Sequence, residues 1–212
     1  HAIDRNTLLN SVLKGAAGEA SHVLHPFNEG WVEPAKYASP YAFDPEKTKK
    51  LLAEAGHPNG IDVDFVVEVG QYMKVKEASE VVAGMLNKAG IRTKYVALNL
   101  QGYRNFFRKH RDKPQPDFKP YIFMHSFGGG SGDDDLQLGA IASCKGAWSG
   151  WCDKGFDESL DKASATLGEE DRHQLFFGLA KKLTEEAIVV PLYRLNATFG
   201  LSNRVDWDPR VD

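Results

Sequence analysis

The chain has 212 residues, 42% of them hydrophobic, and a formal net charge of −3. That is enough apolar side chain for a globular core, and too little positive excess for a protein that grips nucleic acid through its phosphates. No apolar run approaches the roughly 20 residues that a membrane-crossing helix needs.

Residues 3–14 place Ile3, Leu8, Leu9, Val12 and Leu13 near helical spacing and stop at Gly15, which predicts a helix. The opening HAIDR reads as a helix entered partway, so a fragment of a longer protein is expected. Residues 16–43 are rich in Gly, Pro and aromatics and are too long for an ordinary connection, so a packed surface loop is expected, with Phe27 and Trp31 as core residues or else platforms for a ligand. Asp44, Pro45 and Gly56 then punctuate a helix as N-cap, first helical residue and stop.

Residues 62–69 (DVDFVVEV) alternate and then run apolar, as a half-covered strand does, and 75–89 carry the helical stripe Ala78, Val81, Val82, Met85, Leu86 and Ala89. A strand over 91–98, a helix over 100–110 and a strand over 121–127 complete a β-α-β-α-β order. That alternation predicts an α/β fold with a mostly parallel mixed sheet flanked by helices, where ligands collect beyond the carboxyl ends of the strands. The one basic cluster, RNFFRKHRDK at 104–113, reads as a solvated helix face. Helices are expected at 134–142, 156–167 and 169–187, followed by one long strand or a kinked pair over 188–201, with Pro191 marking an edge or a strand start.

The stretch FMHSFGGGSGDDDL at 123–136 is the most informative. A phosphate cradle would want a Lys where three carboxylates stand. Calcium would suit the acids, but the alternating ligand spacing of an EF-hand is absent. Ser126 and Ser131 lie near His125, yet neither sits in a GxSxG elbow. A recognition loop fits better: Gly128 and its neighbours let the backbone approach a ligand, Phe127 offers an apolar wall, and Asp133, Asp134 or Asp135 can accept charge-assisted hydrogen bonds from a cation. One or two of these acids can equally cap the following helix. For His125 two readings stand, a satisfied strand histidine or a ligand contact.

Cys144 and Cys152 bracket CKGAWSGWC, whose spacing matches neither a CxxC redox motif nor a four-ligand zinc site. A disulfide fits this spacing better than two free thiols and implies an oxidising compartment. Trp148 and Trp151 inside it are either core residues or platforms for a ligand.

Three stretches in order, HAIDRNTLLNSVLKG, SPYAFDPEKTKKLLAEAGHPNG before a strand, and GFDESLDKASATLGEEDRHQLFFGLAKKLTEEAIVVPLYR, resemble the bacterial solute-binding protein family 5, which delivers oligopeptides, dipeptides, nickel chelates or opines to ABC importers. The resemblance implies that residues 1–212 form a single α/β lobe, the C-terminal one of a two-lobed periplasmic-binding-protein-like fold, with an N-terminal lobe of the same chain missing. It also implies a periplasmic or extracellular, membrane-anchored location, a peptide or small-molecule ligand, an ABC transporter permease as partner, no nucleic acid, no cofactor and no chemistry on the ligand. In peptide binders of the family an Asp of this loop fixes the peptide's α-amino group, a role that Asp133, Asp134 or Asp135 can match. The chain departs from the family pattern where KHRDKPQPDFKP replaces a short turn, Phe127 stands for the usual Trp, and GGGSGDDD lacks the usual Pro. The rival readings are an α/β enzyme that uses GGGSG as its active loop, and a metal- or chelate-binding member of the same family.

Overall fold

The computed structural model describes residues 1–111, 121–127 and 132–207. The chain divides into two compact units, one made of His1–Gly15 with Pro40–Ser126, the other of Ala16–Ser39 with Phe127–Asp212.

The first unit opens with helix α1. Asp4 caps it, accepting from the amides of Asn6 and Thr7 at 3.0 and 3.2 Å, and the α-helical Arg5–Thr7 continues as a π-helix over Leu8–Leu13. The Lys14 amide accordingly donates five residues back to the Leu9 carbonyl at 2.9 Å. The wider turn has a packing reason. Residues five apart diverge on an α-helix but come near one face on a π-helix, and Leu8 and Leu13 are both buried. Helix α2 (Pro45–Glu54) is capped by Asp44, whose Oδ1 accepts from the Lys47 amide at 2.8 Å.

Strand β2 (Ile61–Glu68), helix α3 (Val75–Lys88), strand β3 (Ile91–Leu98), helix α4 (Leu100–Arg111) and strand β4 (Tyr121–Met124) follow. The three strands form a parallel sheet in the order β3-β2-β4, with Ile61 opposite Ile91 and Val67 opposite Met124. The sheet starts at a close approach: the Ile61 amide donates to the Gly90 carbonyl at 3.0 Å, and a Cβ on Gly60 (φ +78°) would lie 2.2 Å from that oxygen. Because side chains alternate along a strand, Phe65 and Val67 face one side and Val66 and Glu68 the other. On the first side Phe65 meets Tyr95 at 6.0 Å, and the Tyr95 hydroxyl lies 2.7 Å from Ser79 of α3. On the second, Phe107 of α4 meets Phe123 of β4 at 4.8 Å. Strand β4 ends at Met124, three residues short of the expected end.

In the second unit a short strand β1 (Ala17–Gly18) precedes the long loop, and helices α5 (Asp134–Ala142), α6 (Lys154–Ala165) and α7 (Glu169–Glu185) follow. Their core is Leu24, Leu138, Phe156, Leu160, Phe176 and Leu183, with Trp31 and Trp151 packed against it. The loop is anchored as expected of a packed segment: Gln137 donates to the Val23 carbonyl at 2.5 Å, and Arg172 pairs with Glu29. Phe27, by contrast, is exposed. The long strand expected over 188–201 shrinks to strand β5 (Arg194–Leu195), antiparallel to β1. The amides of Ile188 and Val189 turn back to the Leu183 carbonyl at 3.0 and 3.1 Å and so cap α7 instead of joining a ladder, and Pro191 has no amide to donate.

Candidate functional site

The acid-rich loop belongs to the second unit, and its three carboxylates have three different surroundings. Asp133 caps α5, its Oδ1 accepting from the amides of Asp135 and Leu136 at 3.0 and 3.3 Å. Asp134 is 1% exposed, and its Oδ2 accepts from the Gly30 amide at 2.6 Å. Burial raises its titration, against the lowering effect of the bonds from Gly30 and Asn28. Asp135 is half-buried and makes no side-chain hydrogen bond or ion pair among the described residues. Just before them, Gly132 (φ +67°) gives its carbonyl to the Asn28 amide group at 3.1 Å, which ties the loop to the long N-terminal segment.

Phe127 is half-buried, and its carbonyl lies 2.8 Å from His25 Nε2. A carbonyl can only accept, so His25 carries its proton on Nε2. Gly128, with the other glycines and Ser131 of GGGS, lies outside the described residues. Cys144 and Cys152 form a disulfide with their Cα atoms 4.2 Å apart. Of the tryptophans within that loop, Trp151 packs on the core with Phe156 at 5.4 Å, and Lys182 lies 5.9 Å above its ring. Trp148 is half-buried, its amide donating to the Ala140 carbonyl at 3.0 Å.

His125 belongs to the first unit, one residue past β4. Its ring stacks on Tyr103 of α4 at 5.6 Å and 6°, and burial pulls its pKa down to about 4, so it is neutral at pH 7. Tyr103 is fully buried and donates its hydroxyl to the Met124 carbonyl at 3.2 Å. The sequence pattern did not single out Glu68. It ends the central strand at 2% exposure, and neither of its oxygens has a hydrogen-bond partner among the described residues. Burial raises its titration, with Arg104 acting in the opposite sense. Its signal was faint: one acid closing an apolar run, two residues before Gly70.

Among the described residues no three His, Cys, Asp or Glu side chains are grouped to hold a metal ion. The described side chains around the loop and the strand end offer hydrogen-bond acceptors and aromatic faces.

The family model described as bacterial extracellular solute-binding proteins, family 5 Middle, matches residues 1–149. The chain belongs to this family. Among relatives of this family-5 chain, the dipeptide-binding protein of Escherichia coli K12 is 25% identical over 184 residues, covering 83% of this chain and 32% of the relative. Heme-binding protein A of Haemophilus influenzae is 26% identical over 181 residues, covering 83% and 31%. Family-5 membership agrees with the fold. HbpA2 from Haemophilus parasuis superposes with a TM-score of 0.78 at 21% identity, over 92% of this chain and 38% of that one. A dipeptide-binding protein from Pseudoalteromonas sp. SM9913, solved in complex with Met-Leu, gives 0.75 at 21% identity, with coverage of 92% and 38%. The family-5 chain spans about a third of the length of these curated relatives.

Proposed function

We propose that this chain is the substrate-binding C-terminal lobe of an ABC-transporter solute-binding protein, with residues 1–212 forming that single lobe. It captures a peptide or related small solute against a second, N-terminal lobe and hands it to a membrane permease from the periplasm or the outer cell surface. The observation that carries this reading is the family match over residues 1–149. The names of several relatives, dipeptide-binding and di/tripeptide-binding proteins, favour a peptide as cargo. Capture works by closure: ligand that touches both lobes binds the closed form better and shifts the population toward it. No bond in the ligand is made or broken, so the chain is not an enzyme in this reading. Within the second unit the proposed ligand contacts are Phe127, Gly128, Asp135, Trp148 and Trp151, with Asp133 and Asp134 shaping the loop; His125 is proposed separately as a ligand contact of the first unit. Asp135 is the acid proposed to receive a peptide ammonium, because Asp133 and Asp134 already accept backbone amides.

Native mass spectrometry of the full chain purified from its host tests the proposal. The expected result is a retained small peptide released intact on denaturation. A co-purified haem, seen by its visible absorption, would replace the peptide as cargo. Conversion of added di- and tripeptides into products would overturn the binding reading.

A further inference from the structure

Glu68 is a costly choice for its position. A carboxylate at 2% exposure, with neither oxygen bonded among the described residues, bears a desolvation penalty that a Leu or Met of similar size would not. Buried polar groups left unbonded in a native fold ask for an explanation, such as stored strain, a chemical role, or a bound water, ion or ligand. The location suggests which kind. Glu68 closes the central strand of a parallel sheet, the end at which such sheets receive ligands.

The surroundings define the charge of that partner. Val66 and Glu68 lie on the α4 side of the sheet, as does buried Tyr103, whose titration is raised by burial and then by the Glu68 charge. Past the last paired positions, Val67 and Met124, stands His125, stacked on Tyr103 and held neutral by burial. Tyr72, on the turn after β2, is half-buried, and its titration is raised by burial and, to a lesser degree, by the Glu68 charge. Arg104 also acts on Glu68, yet it is exposed and the two form no ion pair. One acid among neutral aromatic faces attracts an organic cation and repels phosphate or carboxylate.

We infer that Glu68 is a cation-accepting residue for the solute, receiving a side-chain ammonium or guanidinium group, distinct from the α-ammonium assigned to Asp135, at the carboxyl end of the parallel sheet. The inference rests on the solute-binding reading and adds to it the charge of the cargo.

Calorimetric titration of the full-length, two-lobed protein with Ala-Lys, Ala-Arg and Ala-norleucine, which differ only in whether the second side chain is cationic, tests it. The wild type should bind the two cationic dipeptides about 10- to 150-fold more tightly than Ala-norleucine. Glu68→Gln should abolish that preference, bringing Ala-Lys and Ala-Arg to the affinity of Ala-norleucine. A preference that survives Glu68→Gln, or is absent from the wild type, overturns the inference but not the peptide reading. Failure of all three dipeptides to bind overturns the peptide reading, and thermal unfolding without ligand then decides the inference. An unliganded Glu68→Gln variant at least as stable as wild type supports a carboxylate kept for an outside partner. A Tm that falls in Glu68→Gln and equally in Arg104→Gln shows that Arg104 is the partner, and a fall in Glu68→Gln alone shows another partner within the chain; either result overturns the inference.

Discussion

Gly30 donates its backbone N–H to Asp134 Oδ2 at 2.6 Å, joining residues 104 positions apart. The pair fixes the long loop to the start of α5, and Gly30 must be glycine there because a Cβ would lie 2.6 Å from Phe176 Cβ. Asp134→Ala strands a buried donor and is expected to cost about 1–3 kcal/mol. Gly30→Ala, by overpacking, should cost a comparable amount. Urea unfolding followed by circular dichroism measures both; an unchanged midpoint would contradict the structural role.

Asp135 and Asp134 should separate by phenotype. Asp135→Asn is expected to weaken binding of a dipeptide with a free amino group by about 10- to 150-fold and to leave the unfolding midpoint unchanged. Asp134→Asn should lower the midpoint. Equal affinity in wild type and Asp135→Asn, measured by calorimetry, would remove Asp135 from the proposed ligand set.

The Cys144–Cys152 bridge closes a loop with a sequence separation of 8. On the chain-entropy account its loss costs about 2.6 kcal/mol. The double variant Cys144→Ser/Cys152→Ser should therefore unfold at lower denaturant concentration than the oxidised wild type. Wild type treated with a reductant should approach the variant's midpoint.

Burial holds the pKa of His125 at about 4 against an ordinary 6.5. Between these values the folded chain binds fewer protons than the unfolded one, so the stabilisation is whole above pH 6.5 and is lost as pH falls through this window. The slope from one such group is at most about 1.4 kcal/mol per pH unit. His22 and His25, also lowered by burial, act in the same direction. Glu68, raised by burial, acts in the opposite one, its contribution being lost as pH rises. His125→Gln should thus flatten the fall in Tm between pH 6.5 and 4 without abolishing it. A fall as steep as in wild type would place the acid lability elsewhere.

Local punctuation made much of the fold legible. Asp44 before Pro45 and Gly56 after the helix bounded α2, Gly90 separated α3 from β3, and β3 runs over the residues that its β-branched and aromatic pattern predicts. What the pattern could not show was decided by distant partners. Three consecutive aspartates are chemically identical, and only the arrival of the Gly30 amide makes Asp134 a buried clamp while Asp133 turns to its own helix. The apolar run after α7 looks like a strand, but its first amides are taken by Leu183 and its one ladder partner among the described residues is two residues long. Glu68 was hidden for a related reason. In an alternating strand an acid reads as a solvent-facing position, and α4, which covers that face, is legible as a helix but not as a lid on one particular carboxylate.

The interleaving of the two units has a consequence for biosynthesis. Residues 16–39 leave the ribosome long before the helices that receive them, and at roughly 5–20 residues per second the 104 positions between Gly30 and Asp134 correspond to roughly 5–20 s of translation. Throughout that interval Val23, Leu24 and Trp31 are nascent chain with no core to enter. A chaperone that shelters this stretch during synthesis would protect apolar side chains whose partners arrive late.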